Sequence, residues 1–291
     1  MNIDEMKINV LVTSAGGPAA ISWIKSLRRF DSTINIIATD CNKLAPGLYL
    51  ADHHYVIEST YKNIKNIIKK HSINLIIAQS EAELHIISNH LNDLNDIGVK
   101  TFVSSNKTIK ICEDKLKFYK YCALNFKLPS LIESAIEKPD ISSGSRGVKL
   151  IEAKKGNTLW EYMPGQEYTV DVFCNKKSES LGTIVRKRLK TKAGISVQGE
   201  VIRYEEIEKS AENLCKFLNI IGPCCIQFKK DKDGIPKILE CNPRLGGGSY
   251  FSTLAGINPA QIYIDLIRNV KVEKQYPKPI TVTRYFEEII I

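Results

Sequence analysis

The chain has 291 residues, 43% hydrophobic and 25% charged, with eight cysteines and a formal net charge of +9. These are the proportions of an ordinary globular protein, long enough for one large domain or two to three compact lobes. They exclude a disordered chain, and no apolar run approaches the roughly 20 residues that a membrane-spanning helix needs.

Acids precede the first apolar run, so the N-terminus reads as the start of a strand and not as a signal peptide. INVLVTSAGG is a buried strand entering a glycine turn, and PAAISWIKSLRRF a helix with Pro18 in its first turn. INIIATD is a second strand ending at Asp40. YKNIKNIIKKH is an amphipathic helix with lysines on its wet face, INLIIAQS a third strand, EAELHIISNHLNDL a helix and VKTFVSS a fourth strand. Apolar runs between helices predict a parallel sheet covered on both faces, a doubly wound, Rossmann-like domain over residues 1–105. TSAGGPA lacks G-x-G-x-x-G spacing and reads as a tight turn, so Asp40 is given no ribose-binding role.

From Asn106 the pattern becomes α+β. IKICEDKLKFYKYCALNF predicts a helix, and TLWEYMPGQEYTVDVFC a strand pair around Pro164-Gly165. SLGTIVRKRLKTKAGISVQGEVI is strand-rich and EEIEKSAENLCKFLNIIG helical. CCIQFKKDKDGIPKILECNPR is a hairpin turning at Asp233-Gly234; INPAQIYIDLIRNV is the last helix and ITVTRYFEEIII the last strand. The lysines form no basic stripe interleaved with aromatics, so neither a nucleic-acid nor a membrane partner is expected. No two cysteines stand in C-x-x-C spacing, which argues against zinc. Scattered thiols fit a reducing cytoplasm, most as small buried hydrophobes, with Cys224 and Cys225 on opposite strand faces.

Three stretches carry chemistry. In the hairpin, Glu240 and Asn242 are two apart and share a strand face, and Gln227 joins them if the turn is at Asp233-Gly234. Three oxygen-bearing side chains suit Mg²⁺ or Mn²⁺. Arg244 brings a fork of donors for phosphate oxygens, and the glycine run Gly246–Gly248 admits a close approach, here assigned to substrate. Second, SSGSRG (Ser142–Gly147) offers backbone N–H groups for a phosphate nest, with Lys138 and Arg146 adding charge. Third, Glu161 and Glu167 flank Pro164-Gly165. This is either a plain hairpin with exposed acids or a hinge whose backbone meets an adenine.

In order, Asp114-Lys115, Lys138-Pro139 with SSGSRGV, EYMPGQEYTVDVF, Gln227 and ECNPR with GGGS resemble the ATP-grasp superfamily, most closely its carbamoyl-phosphate-synthase large-subunit type. VLVTSAGGPAA, ATDCNKLAPGLYLADHHYV and QSEAEL resemble the pre-ATP-grasp domain of that group, so the resemblance spans nearly the whole chain. It implies an ATP-grasp domain over 106–291 with a lid subdomain at about 136–170, shortened because Val148–Trp160 is brief for the family. By resemblance, Lys115, Lys138, Ser143, Gly144, Ser145, Arg146 and Gly147 hold ATP phosphates. Glu161 and Met163 meet adenine, Glu167 the ribose, and Gln227, Glu240 and Asn242 the metal. Arg244, Lys138 and Arg188 act on the transferring phosphoryl group, with Arg186 nearby.

The implied activity is an ATP- and Mg²⁺-dependent ligase joining a small carboxylate to an amine or ammonia through an acyl phosphate, releasing ADP and phosphate. The acid's pocket is expected between the first domain and the C-terminal hairpin. The alternatives are a carbamoyl-phosphate-synthase-like enzyme using bicarbonate or carbamate, which a lone ATP-grasp unit disfavours, and a nucleotide-binding regulatory protein without turnover, which the short lid favours. A homodimer is the assembly that base rates suggest.

Overall fold

The computed structural model describes residues 8–132, 134–137, 149–154 and 157–291. The first unit runs β1 (Asn9–Val12), α1 (Pro18–Phe30), β2 (Asn35–Asp40), β3 (His53–Val56), α2 (Tyr61–His71), β4 (Leu75–Ile77), α3 (Glu81–Asn89), α4 (Leu91–Asp96) and β5 (Lys100–Thr101). Its five strands are parallel, in the order β3-β2-β1-β4-β5. The near-continuous apolar runs of β1 and β2 are buried on both faces, Val10 and Val12 against Trp23 and Ile24 of α1, Leu11 against Ile64 and Ile68 of α2. Strand β3 is absent from the sequence reading because it is a largely exposed edge (HHYV) with no apolar signature. The predicted helix over EAELHIISNHLNDL divides at His90 into α3 and α4.

Strand order reverses between β1 and β4, opening a crevice beyond their carboxyl ends. Buried Glu83 ties that end together, accepting hydrogen bonds from Thr13 (2.6 Å), Ser14 (2.8 Å) and Ser59 (2.7 Å).

The predicted helix after Asn106 is two helices, α5 (Asn106–Glu113) and α6 (Lys115–Cys122). The break is chemical: the Asp114 carboxylate accepts from the Leu116 and Lys117 N–H groups (3.0 and 2.9 Å) and caps α6. Short strands follow: β6 (Leu131–Ile132), β7 (Ser134–Glu137), β8 (Lys149–Glu152) and β9 (Leu159–Trp160), with β6 paired to β9 and β7 to β8.

The chain then builds β10 (Glu167–Cys174), β11 (Ser180–Lys192), β12 (Ile195–Ile202), α7 (Glu205–Phe217), β13 (Gly222–Lys230), β14 (Pro236–Asn242), α8 (Tyr250–Leu254), α9 (Pro259–Ile267) and β15 (Ile280–Thr283). These strands form a six-stranded antiparallel sheet, β14-β13-β10-β11-β12-β15. One face packs on Ile207, Ala211 and Leu214 of α7. The other presents Phe173 and Ile184 to Phe251 and Ile262, in a core that continues into α1 through Trp23 and Ile24. The parallel and antiparallel units therefore share one apolar interior. The strand pair expected around Pro164-Gly165 does not form: β9 pairs with β6, and β10 with β11 and β13.

Candidate active site

The register of the large sheet gathers the predicted polar residues. Thr169 lies opposite Arg186 and Gln227, Gln227 opposite Glu240, and Cys225 opposite Asn242. Opposed residues share a face and alternate residues return to it, so Glu167, Arg188, Gln227, Glu240 and Asn242 all stand on one side. A bulge between Gln227 and Phe228 makes this work. Phe228 opposes Ile238 and Ile226 opposes Cys241, all four in the α7-side core, so one extra residue on β14 is absorbed at Leu239. Without it Glu240 would oppose Ile226 and enter that core. A bulge here re-aims a carboxylate toward the working face.

Asn242 Nδ2 donates to Glu240 Oε1 (3.1 Å), and Lys115 Nζ lies 3.9 Å from Glu240 Oε2. One carboxylate and two amides are hard oxygen donors, the kind that suit a magnesium-sized cation. Arg244 Nη1 donates to the Leu245 carbonyl (3.2 Å), and Nη2 is 3.9 Å from Glu81 of α3, so this arginine bridges the two units.

Beside the metal-ligand candidates opens a cleft of about 270 Å³, whose lining includes Lys115, Tyr119, Trp160, Glu161, Gln227 and Glu240. Tyr119 and Trp160 meet edge to face at 5.4 Å. Glu161 is clamped: its backbone N–H donates to the Ser130 carbonyl (2.9 Å), and its carboxylate accepts from Ser130 N (3.0 Å) and Lys237 Nζ (2.8 and 2.7 Å). Lys237 also lies 3.2 Å from Asp231. From Pro164 the chain runs onto β13, with Gly165 N–H donating to the Lys230 carbonyl and Lys230 N–H to the Gln166 carbonyl, both 3.0 Å. A Cβ on Gly165 would sit 2.6 Å from Lys230 Cβ, so only glycine allows this approach. Of the two sequence alternatives for this stretch, the plain hairpin does not form, and Met163 is buried beside the glycine.

The clamp sets a pH dependence. The Lys237 hydrogen bond, then that of Ser130, holds the Glu161 carboxyl below its ordinary 4.5. Burial pulls the Lys237 amine down, but Glu161 and Asp231 outweigh it and raise it above 10.5. A depressed acid contributes stability above its unfolded pKa and loses it as pH falls through the folded value. A raised amine contributes below its unfolded pKa and loses it as pH rises through the folded value. The stability difference between the wild type and Lys237→Met, read from urea unfolding, should be constant from about pH 6 to 9 and shrink below about pH 4.

Arg188 donates to the Glu167 carboxylate and to the Gly194 carbonyl, so the predicted ribose acid and the predicted catalytic arginine form one ion pair. Arg186 differs from expectation. It is 2% exposed and makes paired hydrogen bonds to Asp171 (2.9 and 2.8 Å), which also accepts from Ser252 (2.7 Å). Sealed in this way it is a core brace and not a nucleotide contact. The glycine run is also corrected. A Cβ on Gly246 would lie 2.6 Å from Cys225 Sγ, and one on Gly248 2.5 Å from Arg186 Nη1. These glycines let the loop close over the Arg186–Asp171 pair; they do not clear a path for substrate.

Sequence reasoning missed Asp171 and Arg284. Arg284 donates to the Gly247 carbonyl (2.8 Å), burial and the charge of Arg186 lower its pKa, and among the described residues it has no carboxylate partner. Only the β12–β15 pairing brings it there. Lys138 and the loop Ser143, Gly144, Ser145, Arg146 and Gly147 lie outside the described residues. All cysteines except Cys41 are buried, each is free, and Cys224 meets Cys241 while Cys225 faces the glycine loop.

Comparison with known families decides the lineage. A family model described as an ATP-grasp in the biosynthetic pathway with the Ter operon matches residues 156–288, and a PylC-like N-terminal domain matches residues 10–102. The chain carries an ATP-grasp domain. The ATP-grasp fold is mirrored by solved structures. Biotin carboxylase from Campylobacter jejuni, in complex with β,γ-ATP, is 16% identical over 93% of this chain and 73% of its own (TM-score 0.64). N5-carboxyaminoimidazole ribonucleotide synthetase from Thermotoga maritima is 18% identical over 94% and 79% (TM-score 0.63). N5-carboxyaminoimidazole synthetase from Staphylococcus aureus is 15% identical over 96% and 83% (TM-score 0.67). At these identities the likeness is one of fold. No curated protein sequence matches the chain. Among the described residues, no helix is long and apolar enough to cross a membrane.

Proposed function

We propose that this ATP-grasp protein is a carboxylate–amine ligase that uses ATP and Mg²⁺. The observation that carries the reading is the bulge-set register that puts Gln227, Glu240 and Asn242 on one sheet face, with Lys115 beside them and Arg244 at the strand end. Those three side chains would hold Mg²⁺, which supplies charge neutralisation for the nucleotide phosphates. The cleft beside Tyr119 and Trp160 takes the adenine against the backbone of Glu161 and Met163, and Glu167 takes the ribose once it exchanges Arg188 for it. Lys115, Lys138 and the Ser143–Gly147 loop bind the phosphates.

A carboxylate oxygen of the substrate attacks the γ-phosphorus. The bond to the bridging oxygen breaks, ADP leaves, and an acyl phosphate remains. An amine or ammonia then attacks the acyl carbon, the bond to the phosphate oxygen breaks, phosphate departs and the nitrogen loses a proton. Phosphoryl transfer depends mainly on positioning and charge stabilisation, which suits a site of cations and oxygen ligands without a protein nucleophile. Arg244 and Arg188 are assigned to that charge. The free thiols suit a reducing, cytoplasmic setting.

Arg244→Ala should lower the kcat of ADP release about a hundredfold or more while leaving the dissociation constant of an ATP analogue within about threefold. An effect confined to nucleotide affinity would remove Arg244 from the transfer step. Hydroxylamine supplied as a generic amine should trap the acyl phosphate as a hydroxamate with the correct acid. Tight ATP binding without ADP release under any acid and amine would favour the regulatory reading.

A further inference from the structure

Between the carboxyl end of β4 and the start of the glycine loop lies a narrow cavity of about 20 Å³, whose lining includes Trp23, Gln79, Phe102, Pro223, Arg244 and Tyr263. It sits where the parallel unit meets the hairpin, on the open side of the strand-order reversal. On this measure a cavity holds one water once it exceeds roughly 10–15 Å³, so there is room for one or two non-hydrogen atoms.

Its polar inventory is unusual. Trp23 is 2% exposed and Gln79 8% exposed. Among the described residues, Trp23 Nε1 and Gln79 Oε1 are buried with no hydrogen-bond partner. The Gln79 amide orientation is fixed, because its Nε2 donates to the Ala78 carbonyl at 2.7 Å. One donor and one acceptor are therefore left unmet on two residues that line the same chamber, where an unpaired polar atom is costly. The rest of the lining is apolar or aromatic apart from Arg244 and Tyr263, and no acidic side chain lines it. The Tyr263 hydroxyl is already committed to the Cys174 carbonyl (3.4 Å).

A group that satisfied both atoms would accept from an indole N–H, donate to an amide oxygen, fit the space of an oxygen atom and carry no charge. An ammonium could satisfy Gln79 but would leave the indole unpaired and its own charge uncompensated. A methyl group would leave both unpaired. A hydroxyl meets every condition, as a single water also does. Arg244, whose hydrogen-bond partner among the described residues is the Leu245 carbonyl and whose Nη2 lies 3.9 Å from Glu81, stands in the same lining with further donors for a carboxylate.

We propose that this cavity is the selectivity pocket of the acid substrate and that the acid is a hydroxyl-bearing carboxylate, its hydroxyl held between Trp23 Nε1 and Gln79 Oε1 while its carboxylate lies toward Arg244. The proposal rests on the ligase reading for the role of the carboxylate, but the pocket itself can be tested by binding alone.

The test uses pairs that exchange hydroxyl for methyl at constant shape: glycolate and propionate, L-serine and L-2-aminobutyrate, L-threonine and L-valine. Each is titrated calorimetrically into the full chain saturated with Mg²⁺ and a non-hydrolysable ATP analogue. ADP release with ATP is read for the same acids. At least one pair should show the hydroxyl member binding about a hundredfold tighter, since a site built around a hydroxyl strongly rejects the analogue without it. Gln79→Met keeps the bulk and Trp23→Phe removes the indole N–H together with part of the ring; each should reduce that preference to below about tenfold, with affinity for the ATP analogue unchanged. Equal binding within every pair, no binding by any of these acids, or a preference that survives both substitutions would overturn the proposal and leave the cavity to a structural water. A hydroxyl preference without ADP release would keep the pocket and remove the ligase reading; ADP release without the preference would do the reverse.

Discussion

Glu240→Ala is expected to lower Mg²⁺-dependent ADP release by about two to three orders of magnitude, the usual cost of removing one preorganised group that stabilises charge in the transition state. Glu240 is the one carboxylate among the three oxygen donors, so its loss leaves two neutral amides to hold a divalent cation. It also frees Lys115, which sits 3.9 Å from it. Glu240→Gln keeps the shape and the Asn242 contact while removing the charge, and should lose nearly as much. Raising Mg²⁺ or supplying Mn²⁺ should recover part of the Gln variant's rate, which a purely structural role would not allow. Unchanged Mg²⁺-dependent turnover in Glu240→Ala would remove the metal assignment.

Arg186→Met should lower the unfolding free energy by about 3–5 kcal/mol, as expected when one member of a fully buried ion pair is removed. Asp171 is 0% exposed, and it would keep only the hydroxyls of Ser252 (2.7 Å) and Ser249 (3.4 Å). Urea unfolding followed by circular dichroism reads the loss. Gly248→Ala should destabilise for a related reason. Its Cβ would lie 2.5 Å from a guanidinium nitrogen that Asp171 holds in place. A stability loss below about 1 kcal/mol for Arg186→Met would mean that solvent reaches this pair.

The parallel unit was readable because β1, β2 and β4 are nearly unbroken apolar runs, and a run buried on both faces leaves a plain trace in sequence. Strand β3 left none, since three of its four side chains are exposed. The metal hairpin was readable from Asp233-Gly234, but the bulge at Leu239 was not. It is visible only when Ile238 and Cys241, three apart, are both found in the same core. Alternation from a two-residue turn at Asp233-Gly234 would set Gln227 opposite Glu240 directly; the strands leave the turn one residue out of that register, with Lys230 opposite Pro236, and the bulge restores the pairing.

The glycine run was read correctly as a close approach and assigned to the wrong partner. Glycine reports that something comes near the backbone, and here it is Cys225 and Arg186. Arg186 and Arg188 look alike on one strand, yet one braces a core and the other pairs with Glu167 beside the cleft. What separates them is Asp171, and nothing local in the sequence marks it as a buried partner. Arg284 became visible only once β15 paired with β12. The unpaired Trp23 and Gln79 atoms belong to the same class, because a missing partner can be seen only in three dimensions.

The central claim is ATP-driven joining of an acid and an amine. Its most direct test is ADP release by the purified chain with Mg-ATP, across carboxylates with and without ammonia and primary amines, with the product amide identified by mass. The account predicts release that requires one acid and one amine together and yields one amide per ADP. Release that ignores the acid, or none with any pair while ATP still binds tightly, would contradict it.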